Sequence, residues 1–393
     1  MNSPEQPSLE TRCARHPATP ESASSPLSPP IHLSAVYRID GLDQIDALYE
    51  GNEPGFTYRR DGDVNSEMLA SKVAELEGAE SALVCASGMG AESALFLALL
   101  NSGDEVALSH NLYGKTMVLV GRELSRFGVG FRIFDATRPE TLRDAITPRT
   151  RLAFVETISN PLVRVADLPG LAEVANAADV GLAVDHTFAP LLCRPMELGA
   201  VAVTHSVTKL IGGHSDLILG LLAGKKTIID RARAVSSAFG IAGNPFESWL
   251  ALRGVASLGI RSQRSCATAL SVAERLEGHP RVEKVHYPGL TSHEDHVRAS
   301  RMLRGGFGTI ATIDIGGRGE ADAFIRALKH IPFAPSLGDA TTTLSHPATT
   351  SHRNQSAEQW HAQGITPGLI RLSFGLEDPD DLWEDLRSAL DTL

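Results

Sequence analysis

Val203-Thr204-His205-Ser206-Val207-Thr208-Lys209-Leu210-Ile211-Gly212-Gly213-His214-Ser215-Asp216 is the stretch from which the fold can be read. Residues 200–207, AVAVTHSV, are an apolar run that predicts a buried strand. Lys209 stands where that strand ends, flanked by hydroxyl residues and followed at once by glycines. Open α/β folds place their ligands at the carboxyl edge of the sheet. The layout delivers one amine to such an edge, where a lysine in a dry pocket loses its charge easily and condenses with a carbonyl to a Schiff base. Lysines after strands are mostly solvated, so the weight of this one depends on the rest of the chain.

One unit upstream, residues 181–184 predict another strand, ending in Asp185-His186-Thr187-Phe188. Asp185 and Lys209 are 24 positions apart, a spacing that suits adjacent parallel strands joined by one crossover, with both side chains at one sheet edge. Earlier still, a strand at 81–85 runs into Ala86-Ser87-Gly88-Met89-Gly90-Ala91 and a buried helix over 91–100. Strand, glycine turn and helix point free N–H groups and a helix dipole at an anion, although a plain tight turn has the same local pattern. The motif is neither GxGxxG nor GxxxxGK[ST], so dinucleotide and P-loop readings lose support. Strands at 105–109, 129–134 and 151–156 alternate with helices at 117–128 and 168–178, which indicates βα units and a mostly parallel sheet. A long helix over 245–277 leads to strands near 282–287, 307–315 and 369–373, a helix near 321–328 and a closing helix at 380–390, the pattern of a smaller α+β domain. By themselves, Arg371 in IRLSF suggests a surface ion pair, and residues 55–63, with Tyr58, Arg59 and Arg60, a solvated turn.

The 393 residues suffice for two domains. A hydrophobic content of 42% and a charged content of 21% are those of a globular protein. The net charge of -11 argues against nucleic acid or an anionic membrane as the main partner, without excluding an anionic cofactor in a local pocket. The four cysteines lie far apart with no CxxC, so neither a disulfide framework nor a metal site is indicated. No signal-like N-terminus and no span-length apolar stretch is present, and a cytoplasmic location is expected. Residues 1 to about 30, rich in Pro, Ser and Glu, predict a disordered or extended arm.

A carboxylate and a Schiff-base lysine facing one pocket that also holds an anion site describe pyridoxal phosphate, with Tyr113 available to stack on its ring. In chain order stand SGM at 87–89, YG-T at 113–116, ETxxNP at 156–161, VD-TF at 184–188, HSxTK at 205–209 with GGHSD after it, SLGD at 336–339, HPATTSH at 346–352 and GLIRLSFGLED at 368–378. From about Tyr58 to the C-terminus the chain thereby resembles the fold-type I pyridoxal-phosphate enzymes of cysteine and methionine metabolism: cystathionine γ-synthase, the cystathionine lyases, methionine γ-lyase and the O-acylhomoserine sulfhydrylases.

The resemblance implies an α/β fold of the fold-type I transferase kind, with a mostly parallel central sheet flanked by helices and a smaller C-terminal α+β domain. It divides the chain into an arm at 1–57, a cofactor domain at 58–243 and a C-terminal domain at 244–393. It makes Lys209 the Schiff-base lysine, Asp185 the partner of the pyridine nitrogen and Tyr113 the stacking residue; these three are the catalytic candidates. Ser87, Gly88, Met89, Ser206 and Thr208 match phosphate binders. Asn160, Ser336 and Arg371 match groups around the cofactor hydroxyl and the substrate carboxylate, for which a guanidinium fork is suited. Tyr58 and Arg60 match a pair that reaches the phosphate of a neighbouring subunit, which implies a homodimer with shared active sites, paired into a tetramer.

The activity implied is a carbon–sulfur lyase acting on cystathionine- or methionine-like amino acids. The alternative is a γ-replacement transferase, an O-acylhomoserine sulfhydrylase or cystathionine γ-synthase. A sensor that binds the cofactor without turnover and a cofactor-free lysine aldolase are further rivals. One stretch and three single positions depart from the family's pattern. YRRDGDVN at 58–65 lacks a proline and a threonine, His186 replaces an asparagine, Lys115 stands where methionine γ-lyases have cysteine, and Thr341 stands where many relatives have glutamate. The loop TTTLSHPATTSH at 341–352 looks most like that of the O-succinylhomoserine sulfhydrylases.

Overall fold

The computed structural model describes residues 22–353 and 356–393. The arm expected to be disordered lies outside the described residues as far as position 21. Residues 22–30 belong to a unit of their own, in which the Ser22 hydroxyl donates to the Ser24 carbonyl at 2.9 Å; everything below concerns the unit that begins at Ile31.

That unit opens with α1 (Leu42–Tyr49), which buries no side chain, and α2 (Val64–Glu77). The second is capped by Asp63, which accepts the Ser66 N–H at 3.0 Å, and it stops at Gly78 in the left-handed region. β1 (Ser81–Cys85) leads into α3 (Gly88–Leu99), capped by the Ser87 hydroxyl, so the glycine turn is the first turn of the helix rather than a loop before it. β2 (Glu105–Ser109) is followed by α4 (Gly114–Val118). The single helix expected over 117–128 is instead three short pieces, with wider turns at Leu119–Glu123 and tighter ones at Leu124–Phe127. Val118, Val120 and Gly121, all weak helix formers, sit where the bonding changes.

β3 (Gly130–Phe134), α5 (Pro139–Ala145), β4 (Thr150–Glu156), α6 (Leu168–Ala177), β5 (Gly181–Asp185) and β6 (Ala202–Ser206) continue the alternation. β7 (Gly220–Gly224) and α7 (Lys226–Phe239) complete the layer. The seven strands lie in the order β1-β7-β6-β5-β4-β2-β3. All run the same way except β7, which is antiparallel to both its neighbours. The carboxyl ends of the other six therefore share one edge.

Apolar runs without polar alternation are what a sheet covered on both faces needs. In β4, Leu152 and Phe154 enter one core with Leu95 and Phe96 of α3, while Ala153 and Val155 enter the opposite one with Leu142 of α5 and Leu171 of α6.

α8 (Pro245–Glu277) has 33 residues, a rod of about 50 Å. Ala251 and Leu258 of its first half pack with α2 and β7, and Val272 and Leu276 of its second half with the smaller C-terminal domain. That domain contains β8 (Lys284–His286), α9 (His296–Met302), β9 (Ile310–Asp314), α10 (Arg318–Ala327), β10 (Thr343–Ser345), α11 (Ala357–Ala362), β11 (Leu369–Ser373) and α12 (Pro379–Leu390). Its sheet is antiparallel, in the order β10-β11-β9-β8.

Candidate active site

The shared strand edge opens into a cavity of about 530 Å³. Ser87, Gly88 and Met89 line it from the start of α3, Tyr113 from beyond β2, Asn160 from beyond β4, Asp185 from the end of β5, and Ser206, Thr208 and Lys209 from the end of β6. The C-terminal domain supplies Ser336 and Arg371 to the same cavity. Asp185 pairs in register with Thr204, so β5 and β6 are adjacent and parallel, as the spacing of Asp185 and Lys209 requires.

The start of α3 is a cradle. The Ser87 hydroxyl takes the Gly90 N–H at 3.0 Å, and the N–H groups of Gly88 and Met89, which open the helix, have no intrahelical acceptor. A Cβ on Gly88 would lie 2.9 Å from that of Ser206, and one on Gly220 would overlap the Ser87 carbonyl. Only hydrogen fits at either place, so the turn can sit directly on β6 and β7. The Thr187 hydroxyl accepts the Ser206 N–H at 2.8 Å, and the Thr208 hydroxyl is engaged with the Leu219 backbone at 3.2 and 3.1 Å.

Lys209 Nζ donates to the Ser336 hydroxyl at 3.2 Å. Burial, helped by the charge of Arg371, pushes its amine below the usual lysine range. Arg371 is only 5% exposed, so the surface ion pair that its local sequence suggests is not formed. Its guanidinium donates to Asn160 Oδ1 at 2.8 Å and to the Ser336 carbonyl at 3.0 Å. Burial pushes its pKa down to about 10, and Nε is buried without a partner among the described residues. The fork is thus half satisfied and short of an anion.

Three carboxyls face these cations. Asp185 is raised by burial although the Thr187 N–H donates to it at 2.8 Å. Glu156 accepts the Tyr113 N–H at 2.6 Å and the Asn160 N–H at 3.2 Å, and is raised by burial and by Asp185. Glu92 accepts the Thr116 hydroxyl at 2.7 Å and is raised by the same two causes. Tyr113 is 37% exposed, and its phenol is raised by burial and by Glu92.

Of the candidates read from sequence, Tyr58 and Arg60 do not line the cavity. They stand together on the loop before α2, with Tyr58 44% exposed and the Arg60 guanidinium 5.2 Å from its ring centroid. Lys115, Thr341 and His186 do not line it either. His186 is sealed in the protein, its Nε2 donating to the Cys193 carbonyl at 3.1 Å and its Nδ1 accepting the Thr157 hydroxyl at 2.7 Å, and burial holds it neutral with a pKa of about 4. Conversely Glu92, Glu156, Thr187, Thr350 and Ser351 line the cavity without having been named as candidates, although all but Glu92 stand in the quoted motifs. A lone acid in the apolar stretch 91–100 was the available signal for Glu92.

The donor set fits pyridoxal phosphate. A helix start with glycine at 88 and 90 suits a phosphate, a half-buried carboxyl with no cationic partner among the described residues suits a protonated ring nitrogen, and a desolvated amine suits an aldehyde. The unpartnered Arg371 Nε suits a substrate carboxylate.

A family profile described as Cys/Met metabolism PLP-dependent enzyme matches residues 10–391. The chain is 37% identical over 387 residues to an L-methionine gamma-lyase of Pseudomonas putida, covering 98% of this chain and 97% of that protein. It is 40% identical over 349 residues to an O-succinylhomoserine sulfhydrylase of Pseudomonas aeruginosa, covering 88% of this chain and 86% of the other. The crystal structure of cystathionine gamma synthase from Xanthomonas oryzae pv. oryzae superposes with a TM-score of 0.89 at 34% identity, with 94% of each chain covered. A cavity built for this cofactor and whole-length similarity to enzymes that share it lead to one assignment: the chain belongs to the PLP-dependent enzymes of Cys/Met metabolism.

Proposed function

We propose that the protein is a carbon–sulfur lyase that eliminates a thiol from cystathionine- or methionine-like amino acids, leaving a 2-oxo acid and ammonia. The observation that carries this reading is the meeting of Lys209, Asp185, Tyr113 and Arg371 around one cavity. Bound pyridoxal phosphate supplies an aldehyde for the substrate amine and a ring that accepts electron density. Arg371 holds the substrate carboxylate. Asp185 holds a proton at the ring nitrogen. Lys209 Nζ, once free, takes the proton from the substrate Cα. Tyr113 stacks on the ring and, its phenol kept protonated by burial and by Glu92, holds a proton for the departing sulfur. Ser87, Gly88, Met89, Ser206 and Thr208 bind the phosphate, while Asn160 and Ser336 orient the cofactor hydroxyl and Arg371.

The same reading makes the enzyme a homodimer, paired into a tetramer, in which Tyr58 and Arg60 reach the phosphate of the neighbouring subunit. It is supported by the exposure of that pair and of Ile218, a cavity residue that is 62% exposed. A cytoplasmic location belongs to it as well; among the described residues no helix is long and apolar enough to cross a membrane.

A γ-replacement transferase is the second reading, favoured by the loop at 341–352 and by the sulfhydrylase relative. Product analysis of the holoenzyme, with Lys209→Ala as the blank, separates the two. Oxo acid and ammonia from L-cystathionine or L-methionine without a nucleophile are expected. Homocysteine formed only from O-acetyl- or O-succinylhomoserine plus sulfide makes it the transferase.

A further inference from the structure

Glu92 stands in the second turn of α3, 3% exposed, beside Ala91, Ala94, Leu95 and Phe96, which are all fully sealed from solvent. A carboxyl in such company is costly unless it is neutral or hydrogen-bonded. Its described partner is the hydroxyl of Thr116, itself 1% exposed. Thr116 closes the turn that begins at Tyr113, since its N–H donates to the Tyr113 carbonyl at 2.9 Å. At the other end of the turn the Tyr113 N–H donates to Glu156. Two buried carboxyls, one from α3 and one from the end of β4, therefore hold the two ends of the turn that presents the Tyr113 ring to the cavity. The Tyr113 hydroxyl has no hydrogen bond among the described residues, so the backbone of the turn decides where the ring stands.

We propose that Glu92 is a positioning residue for Tyr113, acting through the Thr116 hydroxyl to set the height and tilt of the ring over the cofactor. This rests on the role given to Tyr113 above. Burial, and after it the charge of Asp185, raises the Glu92 carboxyl, and its oxygen accepts the Thr116 hydroxyl at 2.7 Å.

Holoenzyme variants Glu92→Ala, Glu92→Gln, Thr116→Val and Tyr113→Phe, and the double variant Glu92→Ala/Tyr113→Phe, test this through kcat and through the visible circular dichroism of the bound cofactor. Glu92→Ala and Thr116→Val are each expected to weaken the dichroic band and to lower kcat on the order of 10- to 100-fold, the usual consequence of misplacing a reacting group. Glu92→Gln, which keeps an oxygen for Thr116, is expected to retain most of the band. In the Tyr113→Phe background, Glu92→Ala is expected to add less than about twofold. Losses that multiply in full, or a dichroic band unchanged in both Glu92→Ala and Thr116→Val, overturn the proposal. Should Glu92→Ala fail to fold, the near-isosteric Thr116→Val carries the same expectation, with Thr116→Val/Tyr113→Phe as its double variant. A Tyr113→Phe enzyme with unchanged kcat overturns the role of Tyr113 itself, and the inference with it.

Discussion

Arg371 illustrates how a side chain takes its meaning from its surroundings. In IRLSF it is an ordinary strand arginine; in the folded chain it is buried, half satisfied by Asn160 and Ser336, with its pKa pushed down to about 10. A lysine there offers one point charge in place of a planar fork. Arg371→Lys is expected to raise KM on the order of 10- to 100-fold with a smaller change in kcat, which steady-state kinetics reads directly; an unchanged KM places the substrate carboxylate elsewhere.

Glu92, Glu156 and Asp185 give the apoprotein a distinct pH dependence. Each is raised above its unfolded value. A group of that kind adds stability that is fully present below its unfolded pKa, 4.5 for Glu92, and is lost as pH rises through the folded value. The melting temperature of the apoprotein should therefore fall as pH climbs above that point. Glu92→Gln should flatten the dependence of the unfolding free energy on pH by up to about 1.4 kcal/mol per pH unit. Equal slopes in the two proteins would mean that Glu92 is ionised in the fold.

Two elements bring the cavity into shape. β7, the one reversed strand of the large sheet, begins at Gly220 under the Ser87 carbonyl. Because the obstacle is backbone, Gly220→Ala must move the cradle. About 1–3 kcal/mol of stability and a measurable part of the cofactor affinity should go with it, followed as release of the visible chromophore. α8 supports the other side: Arg261 donates to the carbonyls of Leu210, Ile211 and Gly254 at 2.8, 3.2 and 2.7 Å, tying the long helix to the turn after Lys209. Arg261→Met leaves the Leu210 and Ile211 carbonyls without this partner. It is expected to cost about 3 kcal/mol, seen as a lower urea midpoint, and to speed cofactor loss. β7 was not foreseen because GLLAG has glycine at both ends and no alternation; pairing on both sides makes it a strand.

Across the whole molecule, the loop carrying Tyr58 and Arg60 does not reach its own cavity. If the proposed dimer is right, the two defects Lys209→Ala and Arg60→Ala complement each other. In a mixed dimer one site carries both lesions and the other neither, so reassembly of equal amounts of the two variants should restore about a quarter of the wild-type sites. Activity no higher than that of the unmixed variants would confine each active site to one chain. Ile218, exposed at 62% beside the cavity, marks a face that such a partner would cover.

The order of the motifs, the alternation of apolar runs with glycine and hydroxyl punctuation, and the strand spacing around Asp185 and Lys209 are local properties of the chain. They sufficed for the α/β class, the family, the cofactor and a little under half of the cavity lining. Burial and electrostatic coupling are sums over neighbours far apart in sequence, so packing alone decided the rest. It made Arg371 a buried fork, set Glu92 and Glu156 at the two ends of the Tyr113 turn, and sealed His186 between Thr157 and Cys193. It also kept Lys115 and Thr341 off the cavity wall and left Tyr58 and Arg60 away from the cavity of their own chain. None of these distances follows from the residue types; each depends on which strand ends the sheet brings side by side.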